Sequence, residues 1–243
     1  MKKVAIVTGA SRGIGAATAL LLAEKGYIVV VNYLDNQEAA DRIVQQITES
    51  GGKSLAYQAD VSIEKQVNQM FLDVNQQIGP ATHLVNNVGV LSTQSRLVDI
   101  SLQRFRNIMQ SNVESCFLCS KAFVKQCVNK GAIVNVSSAA SRSGAPFEYV
   151  DYAASKGAMD TLTKGLSLEV AEQGIRVNAV RPGFIYTDMH ADGGEAGRVD
   201  RLASQIPLKR GGKAEEVAEA IAWLLSDEAS YVTGSFIDIA GGK

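Results

Sequence analysis

A chain of 243 residues, of which 46% are hydrophobic and 20% charged, has the composition of a soluble globular protein. Its formal net charge of -1 gives no electrostatic reason to expect binding to nucleic acid or to an anionic membrane. Its apolar runs are shorter than the roughly 18 residues that span a bilayer, and Val4–Val7 is too short for a signal peptide. We therefore expect a cytoplasmic protein that binds neither nucleic acid nor membrane.

Apolar, β-branched runs alternate along the chain with segments of helical periodicity. The runs predict buried strands at Val4–Thr8, Ile28–Val31, Ser54–Tyr57, His83–Asn86, Ala132–Val136, Arg176–Val180 and Ser235–Ile239. The helical segments lie at about 13–25, 36–49, 64–78, 101–129, 149–173 and 213–226. The alternation predicts one α/β domain over residues 1–243, a Rossmann fold whose doubly wound, mostly parallel seven-stranded sheet has helices on both faces.

A glycine-rich turn follows the first predicted strand and leads into the first helix. Glycines in such a turn let backbone N–H groups approach a pyrophosphate at the helix N-terminus. The spacing G-x-x-x-G-x-G in Thr8–Gly15 is looser than the G-x-G-x-x-G fingerprint. We predict that this loop binds a dinucleotide cofactor through Gly9, Ser11, Arg12, Gly13, Ile14 and Gly15.

The end of the second strand indicates which cofactor is preferred. Sites for NAD usually place Asp or Glu there to hold the ribose hydroxyls, but this chain has Asn32-Tyr33. Asn32 does not repel a 2′-phosphate, and Arg12 can bind that phosphate through a charge-assisted fork. We therefore predict NADP(H) in preference to NAD(H), with contacts from Asn32 and Tyr33. Asp35 lies nearby and is the residue that would favour the opposite preference.

Two further strand ends carry candidate cofactor residues. Asp60-Val61 follows the third strand, where the carboxylate can accept a hydrogen bond from the adenine amino group or serve as a helix N-terminal Asp. Asn87 and Gly89 follow the fourth strand, where a glycine lets the backbone approach a ribose, although the same residues suit an ordinary turn. We predict that all four residues contact the cofactor.

Tyr152 and Lys156 are four residues apart and project from one face if the segment is helical. A free phenol has a pKa near 10, and lowering it to about 7 requires roughly 4 kcal/mol. One cation at about 4 Å contributes about that much at an effective dielectric near 20. The pair therefore suits acid/base chemistry near neutral pH, although such a pair alone is more often a surface feature.

Together these motifs resemble the short-chain dehydrogenase/reductase family, including its 3-oxoacyl reductase-like and sugar dehydrogenase-like members. The glycine loop, Asn86–Gly89, a Ser-Ser pair and the Tyr-x-x-x-Lys motif occur in the family's order over essentially the whole chain. The resemblance implies the catalytic residues Asn112, Ser138, Tyr152 and Lys156. It also implies a loop that holds the nicotinamide amide, with Pro182, Gly183, Ile185 and Thr187.

The resemblance implies hydride transfer between the nicotinamide and a carbonyl carbon. Tyr152 exchanges the proton with the substrate oxygen, and Ser138 hydrogen-bonds the same oxygen. Lys156 lowers the pKa of Tyr152 and binds the nicotinamide ribose, while the backbone of Asn112 holds a relay water. Ser137 is the rival for the serine role; Ser138 is preferred because the family usually uses the second Ser of the pair.

Three positions depart from the family pattern. Val88 replaces the usual Ala beside the ribose, and Ser141 stands where Gly is common. Ser138 lies fourteen residues before Tyr152 instead of the usual thirteen, so we expect an altered substrate rim. None of these changes removes a reacting group.

The residues expected to contact the substrate form a less specific pattern than the cofactor motifs. The glycine-rich segment at about 186–205 follows a strand's carboxyl end and is interpreted as a mobile lid rather than a plain surface loop. Ser141–Tyr149 belongs to the candidate rim, and His190 either touches substrate or is solvated. Because no residue class dominates these segments, the substrate class stays open.

Two enzymatic interpretations compete: an oxidoreductase of free ketones, sugars or polyols, and a reductase of 3-oxoacyl groups on an acyl carrier protein. Gln173 lies where carrier-protein reductases often have Arg, which favours the first. A non-catalytic NADPH-binding regulator is the alternative of another class. The family resemblance also implies a homotetramer or homodimer, built by the helices at 101–129 and 149–173 and the strand near Val232–Phe236.

Cys116 and Cys119 have the C-x-x-C spacing of metal and redox sites but lie in an apolar helical stretch. With Cys127 they are too few for a disulfide framework. We interpret them as helix-packing residues and predict no metal site.

Overall fold

A seven-stranded parallel sheet forms the centre of the protein in a computed structural model that describes residues 2–127 and 130–243. The sheet order is β3-β2-β1-β4-β5-β6-β7, and each neighbouring pair is parallel. Its strands are β1 (Val4–Val7), β2 (Ile28–Tyr33), β3 (Lys53–Gln58), β4 (His83–Asn86), β5 (Gly131–Val136), β6 (Ile175–Pro182) and β7 (Phe236–Ile239). The predicted fold class, a Rossmann fold with a doubly wound parallel sheet, is therefore confirmed.

Helices cover both faces of this sheet. They are α1 (Gly13–Glu24), α2 (Gln37–Glu49), α3 (Glu64–Gln77), α4 (Leu102–Met109), α5 (Ser115–Gln126), α6 (Ala140–Ser143), α7 (Val150–Glu169), α8 (Met189–Asp192), α9 (Arg198–Ala203) and α10 (Ala214–Leu225). The strand order reverses between β1 and β4, which opens a crevice at the carboxyl ends of the strands.

Alternate residues of β1 serve two separate hydrophobic cores. Ala5 and Val7 pack into the core that includes α1, α2 and α10, whereas Val4 and Ile6 pack into the core formed with α3 and α5. All four side chains are at most 1% exposed. Because both faces are covered, the strand is a continuous apolar run, and each buried valine or isoleucine contributes about 1.5–3 kcal/mol.

The helix predicted at 101–129 is confirmed over residues 102–126, with a π-helical segment inside the helical run. It consists of α4, a π-helical segment at Gln110–Glu114, and α5, which ends at Gln126. Residues 128–129 of that prediction lie outside the described residues. The helix predicted at 149–173 is α7 followed by a separate 3-10 turn at Ala171–Gln173. That segment ends because Gly174 adopts a left-handed conformation with φ of 73°.

In the described residues, 2–127 and 130–243, no helix is both long and apolar enough to cross a membrane. Cys116 and Cys119 are buried at 1% and 0% exposure on α5. Burial raises the pKa of the Cys116 thiol to about 12, so this thiol is protonated at neutral pH. These positions support the interpretation that the pair packs within the core.

His83, the first residue of β4, is a partly buried imidazole that predicts a loss of stability in acid. Its Nδ1 lies 2.8 Å from the Thr82 hydroxyl, and its ring packs edge-on against Tyr27 at 4.9 Å. Burial, and then the charges of Lys3 and Arg176, lowers the pKa of His83 to about 4. In the unfolded chain His83 therefore becomes protonated near pH 6.5, whereas in the folded protein it becomes protonated only near pH 4.

This difference predicts a stability contribution that is complete above about pH 6.5 and is lost as the pH falls through about 4. It amounts to about 3 kcal/mol in the free energy of unfolding. Urea unfolding at about pH 7 and about pH 4.5 should show a larger loss for the native chain than for His83→Asn. Equal losses in the two proteins would contradict this assignment.

Candidate active site

The glycine loop forms a cradle between β1 and α1. Gly9 and Gly13 have φ values of 59° and 56°, which non-glycine residues rarely adopt. A Cβ at Gly15 would overlap the Gly9 carbonyl oxygen and lie 2.5 Å from Asn87 Nδ2. Arg12, the N-cap of α1, cannot accept a hydrogen bond, and the first turn contains no acidic residue. These N-terminal N–H groups therefore fit a phosphate.

Two asparagine side chains hydrogen-bond to the backbone of the glycine loop and fix its position. Asn87 Nδ2 donates to the carbonyl oxygens of Thr8 at 2.9 Å and Gly9 at 3.1 Å. Asn32 Oδ1 accepts from the Gly9 N–H at 3.2 Å, and its Nδ2 donates to the Ala59 carbonyl at 3.1 Å. Asn32 is 1% exposed, so its amide is committed to the loop. The cofactor contact predicted for Asn32 stays a prediction; in this structure its amide fixes the shape of the loop.

The other predicted adenosine residues lie at the same edge of the sheet. Tyr33 is the last residue of β2 and is 6% exposed, whereas Asp35 is exposed. Asp60 Oδ1 accepts from the Ser62 N–H and hydroxyl at 2.9 and 2.7 Å, which forms a turn, whereas the N-cap of α3 is Ile63. Val61 is 4% exposed and packs in the core.

Tyr152 and Ser138 come together at the carboxyl end of β5. Tyr152 lies in the first turn of α7, and its phenol is within reach of the Ser138 hydroxyl, which counteracts the effect of burial on the phenol pKa. Ser137 is 2% exposed, and its hydroxyl donates to the Lys156 carbonyl at 3.3 Å. Of the two serines, Ser138 is therefore the one whose hydroxyl meets the phenol.

Lys156 lies one helical turn after Tyr152, with its Nζ 5.6 Å from the centre of the Tyr152 ring. The ammonium donates to the Val136 carbonyl at 2.7 Å and lies 3.4 Å from Met159 Sδ. A Cβ at Gly89 would be 3.2 Å from Nζ, so glycine leaves space beside this ammonium. The arrangement combines a buried cation with an open backbone segment, which fits ribose hydroxyl groups.

The pKa of Tyr152 is not lowered in this structure, as the sequence had predicted, but raised. Burial raises the pKa of Tyr152 to about 12, and the Ser138 hydrogen bond opposes that rise only in part. Lys156 does not compensate, because its ammonium points to the Val136 carbonyl. Burial also lowers the pKa of Lys156 to about 8. At neutral pH the phenol is therefore protonated and Lys156 is mostly charged.

Asn112 is buried in the π-helical segment between α4 and α5. Its Oδ1 accepts from the Val90 N–H at 2.7 Å, and its Nδ2 donates to the Ser155 hydroxyl at 3.0 Å. Ser155 in turn donates to the Tyr152 carbonyl at 2.7 Å. Asn112 thus connects the strand-end loop with the helix that carries Tyr152. π-Turns of this kind often occur at functional sites.

Comparison with known proteins identifies the family. A protein-family model described as enoyl-(acyl carrier protein) reductase matches residues 9–243. The uncharacterized oxidoreductase YgfF of Escherichia coli is 61% identical over 245 residues, covering 99% of each chain. The 3-oxoacyl-[acyl-carrier-protein] reductase FabG of Staphylococcus epidermidis is 39% identical over 244 residues, covering 100% of this chain and 99% of FabG. The chain belongs to the short-chain dehydrogenase/reductase family.

A third relative of this short-chain dehydrogenase/reductase is an uncharacterized oxidoreductase of Methylorubrum extorquens. It is 40% identical over 242 residues, which cover 99% of this chain and 97% of the relative. The family resemblance inferred from the motifs is therefore confirmed, and the chain is an oxidoreductase of that family.

In this short-chain dehydrogenase/reductase, the predicted nicotinamide loop begins at the end of β6. Pro182 is the last strand residue, and a Cβ at Gly183 would be 2.9 Å from Ala240. Ile185 is 4% exposed and pairs with Gly212, so it supports the loop from inside. Thr187 Cγ2 would be 3.4 Å from a Cβ at Gly13. The two predicted cofactor loops thus approach each other across the crevice.

Arg12 makes a contact that the sequence did not predict. Its Nη2 donates to Asp192 Oδ2 at 2.6 Å, and the two side chains are 59% and 47% exposed. Asp192 ends α8, within the predicted lid. The guanidinium for which the sequence predicts a 2′-phosphate contact is therefore paired with a carboxylate of the predicted lid.

The predicted lid at 186–205 is folded and attached to the rest of the site. Arg198 is 5% exposed and forms a fork with Glu148 at 2.9 and 2.5 Å. Gln94 Nε2 donates to Glu195 at 2.7 Å. His190 is partly buried rather than solvated, and its Nε2 donates to the Ile185 carbonyl at 3.1 Å. The short helices α8 and α9 belong to this segment.

The altered rim between Ser138 and Tyr152 contains strained backbone. Ala145 and Phe147 have positive φ values of 41° and 65°, and Phe147 is 74% exposed. Ser141 donates to the Ser138 carbonyl at 2.8 Å. Val88, the other departure from the family pattern, packs below the glycine loop, with its Cγ2 3.1 Å from a Cβ position at Gly9.

Proposed function

We propose that the protein is an NADP(H)-dependent short-chain oxidoreductase that transfers a hydride between the nicotinamide and a carbonyl or secondary alcohol. The observation that carries this proposal is the Tyr152 phenol, within reach of the Ser138 hydroxyl and close to the buried Lys156. This set lies at the same crevice as the glycine loop. It supports acid/base work on an oxygen atom next to a bound cofactor.

In carbonyl reduction, Tyr152 gives its proton to the oxygen while the bound nicotinamide supplies the hydride. Because burial raises the pKa of Tyr152 to about 12, the phenol is protonated at neutral pH, as an acid must be. Ser138 donates to the same oxygen and stabilises its developing charge. The protonation state supports reduction as the direction for which this site is prepared.

Lys156 and Gly89 would hold the nicotinamide ribose, because the ammonium is buried beside backbone that has no side chain. Asn112 orients the loop after β4 through Val90 and the start of α7 through Ser155. The N–H groups at the start of α1 would bind the pyrophosphate. Pro182, Gly183, Ile185 and Thr187 would surround the nicotinamide amide.

We propose NADP(H) over NAD(H), because Arg12 is the exposed cation of the glycine loop and Asn32 carries no negative charge. Arg12→Ala is expected to weaken NADPH binding by about tenfold to a hundredfold, since a charged hydrogen bond contributes about 1.5–3 kcal/mol. NADH binding should change little. Dissociation constants of both cofactors, measured by fluorescence titration, check this prediction.

Asp192→Asn is the variant to compare with Arg12→Ala, because it removes the carboxylate that pairs with Arg12. An exposed pair contributes at most about 1 kcal/mol, so NADPH binding should tighten by up to about fivefold. In an Arg12→Ala background the same change should have no effect. Equal losses of NADPH and NADH binding in Arg12→Ala would contradict the phosphate assignment.

A second candidate is a reductase of 3-oxoacyl groups carried by acyl carrier protein. It is favoured by the identity to FabG, which is 39% over 100% of this chain. Gln173, where carrier-protein reductases often have Arg, weighs against a docking site for an acidic carrier. We therefore place free carbonyl compounds first.

The test is a panel of 3-oxoacyl thioesters, enoyl thioesters, diketones, aldehydes and sugars, each with NADPH and NADH in parallel. We expect NADPH-dependent reduction of a carbonyl group. Turnover of thioesters alone would favour the second candidate. Cofactor binding without turnover of any compound would support a non-catalytic NADPH-binding regulator instead.

We further propose a homotetramer or homodimer in the cytoplasm. The helices expected to pair expose large apolar side chains: Leu102 at 62%, Phe105 at 38%, Phe117 at 47% and Leu168 at 67%. Exposed apolar groups of this size on neighbouring helices support burial against a second copy. A light-scattering mass equal to one chain would contradict this proposal.

A further inference from the structure

A buried carboxylate lies directly before the proposed acid in the sequence. The Asp151 side chain is only 1% exposed, in the first turn of α7. Arg104 of α4 donates to both carboxylate oxygens of Asp151, from Nε to Oδ2 at 2.7 Å and from Nη2 to Oδ1 at 3.2 Å. Arg104 is itself 17% exposed, so the pair is a nearly buried fork.

The fork holds three segments at once. The Nη1 of Arg104 donates to the Thr93 carbonyl at 2.8 Å. Asp151 Oδ1 also accepts the backbone N–H of Tyr152 at 3.0 Å. Thr93 lies against the predicted lid, with its Cγ2 3.3 Å from a Cβ position at Gly194. Helix α4, the loop after β4 and the start of α7 therefore meet at one ion pair.

Stability alone does not explain such a pair. Removing two charges from water costs about as much as their attraction returns, and apolar residues of similar volume often serve as well. Its position offers another explanation. The Asp151 carboxylate accepts a hydrogen bond from the backbone N–H of Tyr152, whose phenol must face Ser138. The Arg104 guanidinium binds Thr93 in the loop that borders the predicted lid.

We propose that Arg104 and Asp151 are positioning residues for proton transfer by Tyr152. They fix the first turn of α7 against α4 and the Thr93 loop, so that the phenol meets the substrate oxygen. The inference rests on the proposed function, because it requires Tyr152 to be the acid. Neither residue needs to touch substrate or cofactor.

Asp151→Asn and Arg104→Lys each keep the size of the side chain and weaken the fork. We expect kcat to fall by about tenfold to a hundredfold, since small misplacements of a reacting group have effects of that size. The KM for NADPH should stay near the native value. The solvent deuterium isotope effect on kcat should rise, because proton transfer becomes slower relative to the other steps.

Thr163→Val is the matched control. Thr163 is buried on the same helix, about three turns further on, and its hydroxyl accepts from Asn135 Nδ2 at 2.8 Å. This variant should lower the melting temperature without changing kcat or the isotope effect. If Asp151→Asn and Arg104→Lys behave like Thr163→Val, the pair is merely structural and the proposal fails.

A double variant separates this inference from the proposed function. If Asp151 acts through Tyr152, Asp151→Asn should not slow the residual reaction of Tyr152→Phe any further. An additional loss equal to that in the native background would overturn the positioning role. If Tyr152→Phe alone keeps native turnover, the proposed function itself fails, whatever Asp151→Asn does.

Discussion

Replacement of Tyr152 by Phe is expected to lower kcat for carbonyl reduction by about a hundredfold to ten-thousandfold, the usual contribution of a general acid. The change removes the phenol oxygen, which is within reach of Ser138, and it leaves the ring beside Lys156. NADPH affinity should remain close to native, because the glycine loop and Lys156 are untouched. Steady-state kinetics with a cofactor titration on the same preparation separate the two effects.

Tyr27→Phe is the control for this substitution. Tyr27 is 4% exposed and packs on His83, away from the site, so losing its hydroxyl should leave turnover near native. If Tyr152→Phe and Tyr27→Phe have the same small effect, the acid/base assignment is wrong. If Tyr152→Phe loses turnover together with NADPH binding, the phenol has a binding role instead of an acidic one.

The second large effect is expected at Gly15. An added Cβ would overlap the Gly9 carbonyl oxygen and lie 2.5 Å from Asn87 Nδ2, so Gly15→Ala must displace the loop or the Asn87 clamp. Such overpacking costs about 1–3 kcal/mol in the free energy of unfolding. Binding of NADPH and of NADH should weaken together by more than about tenfold, because the pyrophosphate N–H groups move with the loop.

Gly165→Ala supplies the comparison for Gly15→Ala. Gly165 lies inside α7, and a Cβ there would meet no atom within 4 Å. The alanine should stabilise the helix by about 0.5–1 kcal/mol and leave cofactor binding unchanged. Native cofactor affinity in Gly15→Ala would show that the cradle is not the pyrophosphate site. A selective loss of NADPH binding would assign the effect to Arg12 instead.

Much of the fold was accessible from the sequence because the strands are covered on both faces. Runs such as Val4–Val7 and Ile28–Val31 are continuous apolar segments, and parallel sheets require this pattern. The π-helical segment at Gln110–Glu114 was not, since a π-turn within a long helix adds no separate break or turn signal to the sequence. The signal that could have found it is Asn112, a polar residue at a buried helical position.

In the site, contiguous motifs were predictable and long-range pairings were not. Gly9 and Tyr152 belong to motifs whose spacing is visible in the sequence. The Arg104–Asp151 and Arg12–Asp192 pairs join residues 47 and 180 positions apart. No local periodicity encodes such pairings, because they depend on how elements meet across the crevice.

Two residues of the site have partners that the sequence did not predict. The amide of Asn32 hydrogen-bonds backbone groups of Gly9 and Ala59. Charge spacing predicts a lowered pKa for Tyr152, but burial raises that pKa, and Lys156 donates to the Val136 carbonyl. Spacing along a helix fixes which residues share a face, and it does not fix which acceptor a flexible ammonium will choose.

We propose that the hydride passes from the nicotinamide to a carbonyl carbon and that Tyr152 supplies the proton. The most direct measurement uses NADPH deuterated at the transferring position with whichever panel compound is reduced, and locates the label in the product. We predict deuterium on the new carbinol carbon, formed about a hundredfold to ten-thousandfold more slowly by Tyr152→Phe at matched enzyme concentration. Deuterium that remains on the cofactor, or appears in solvent, would contradict the proposed reaction.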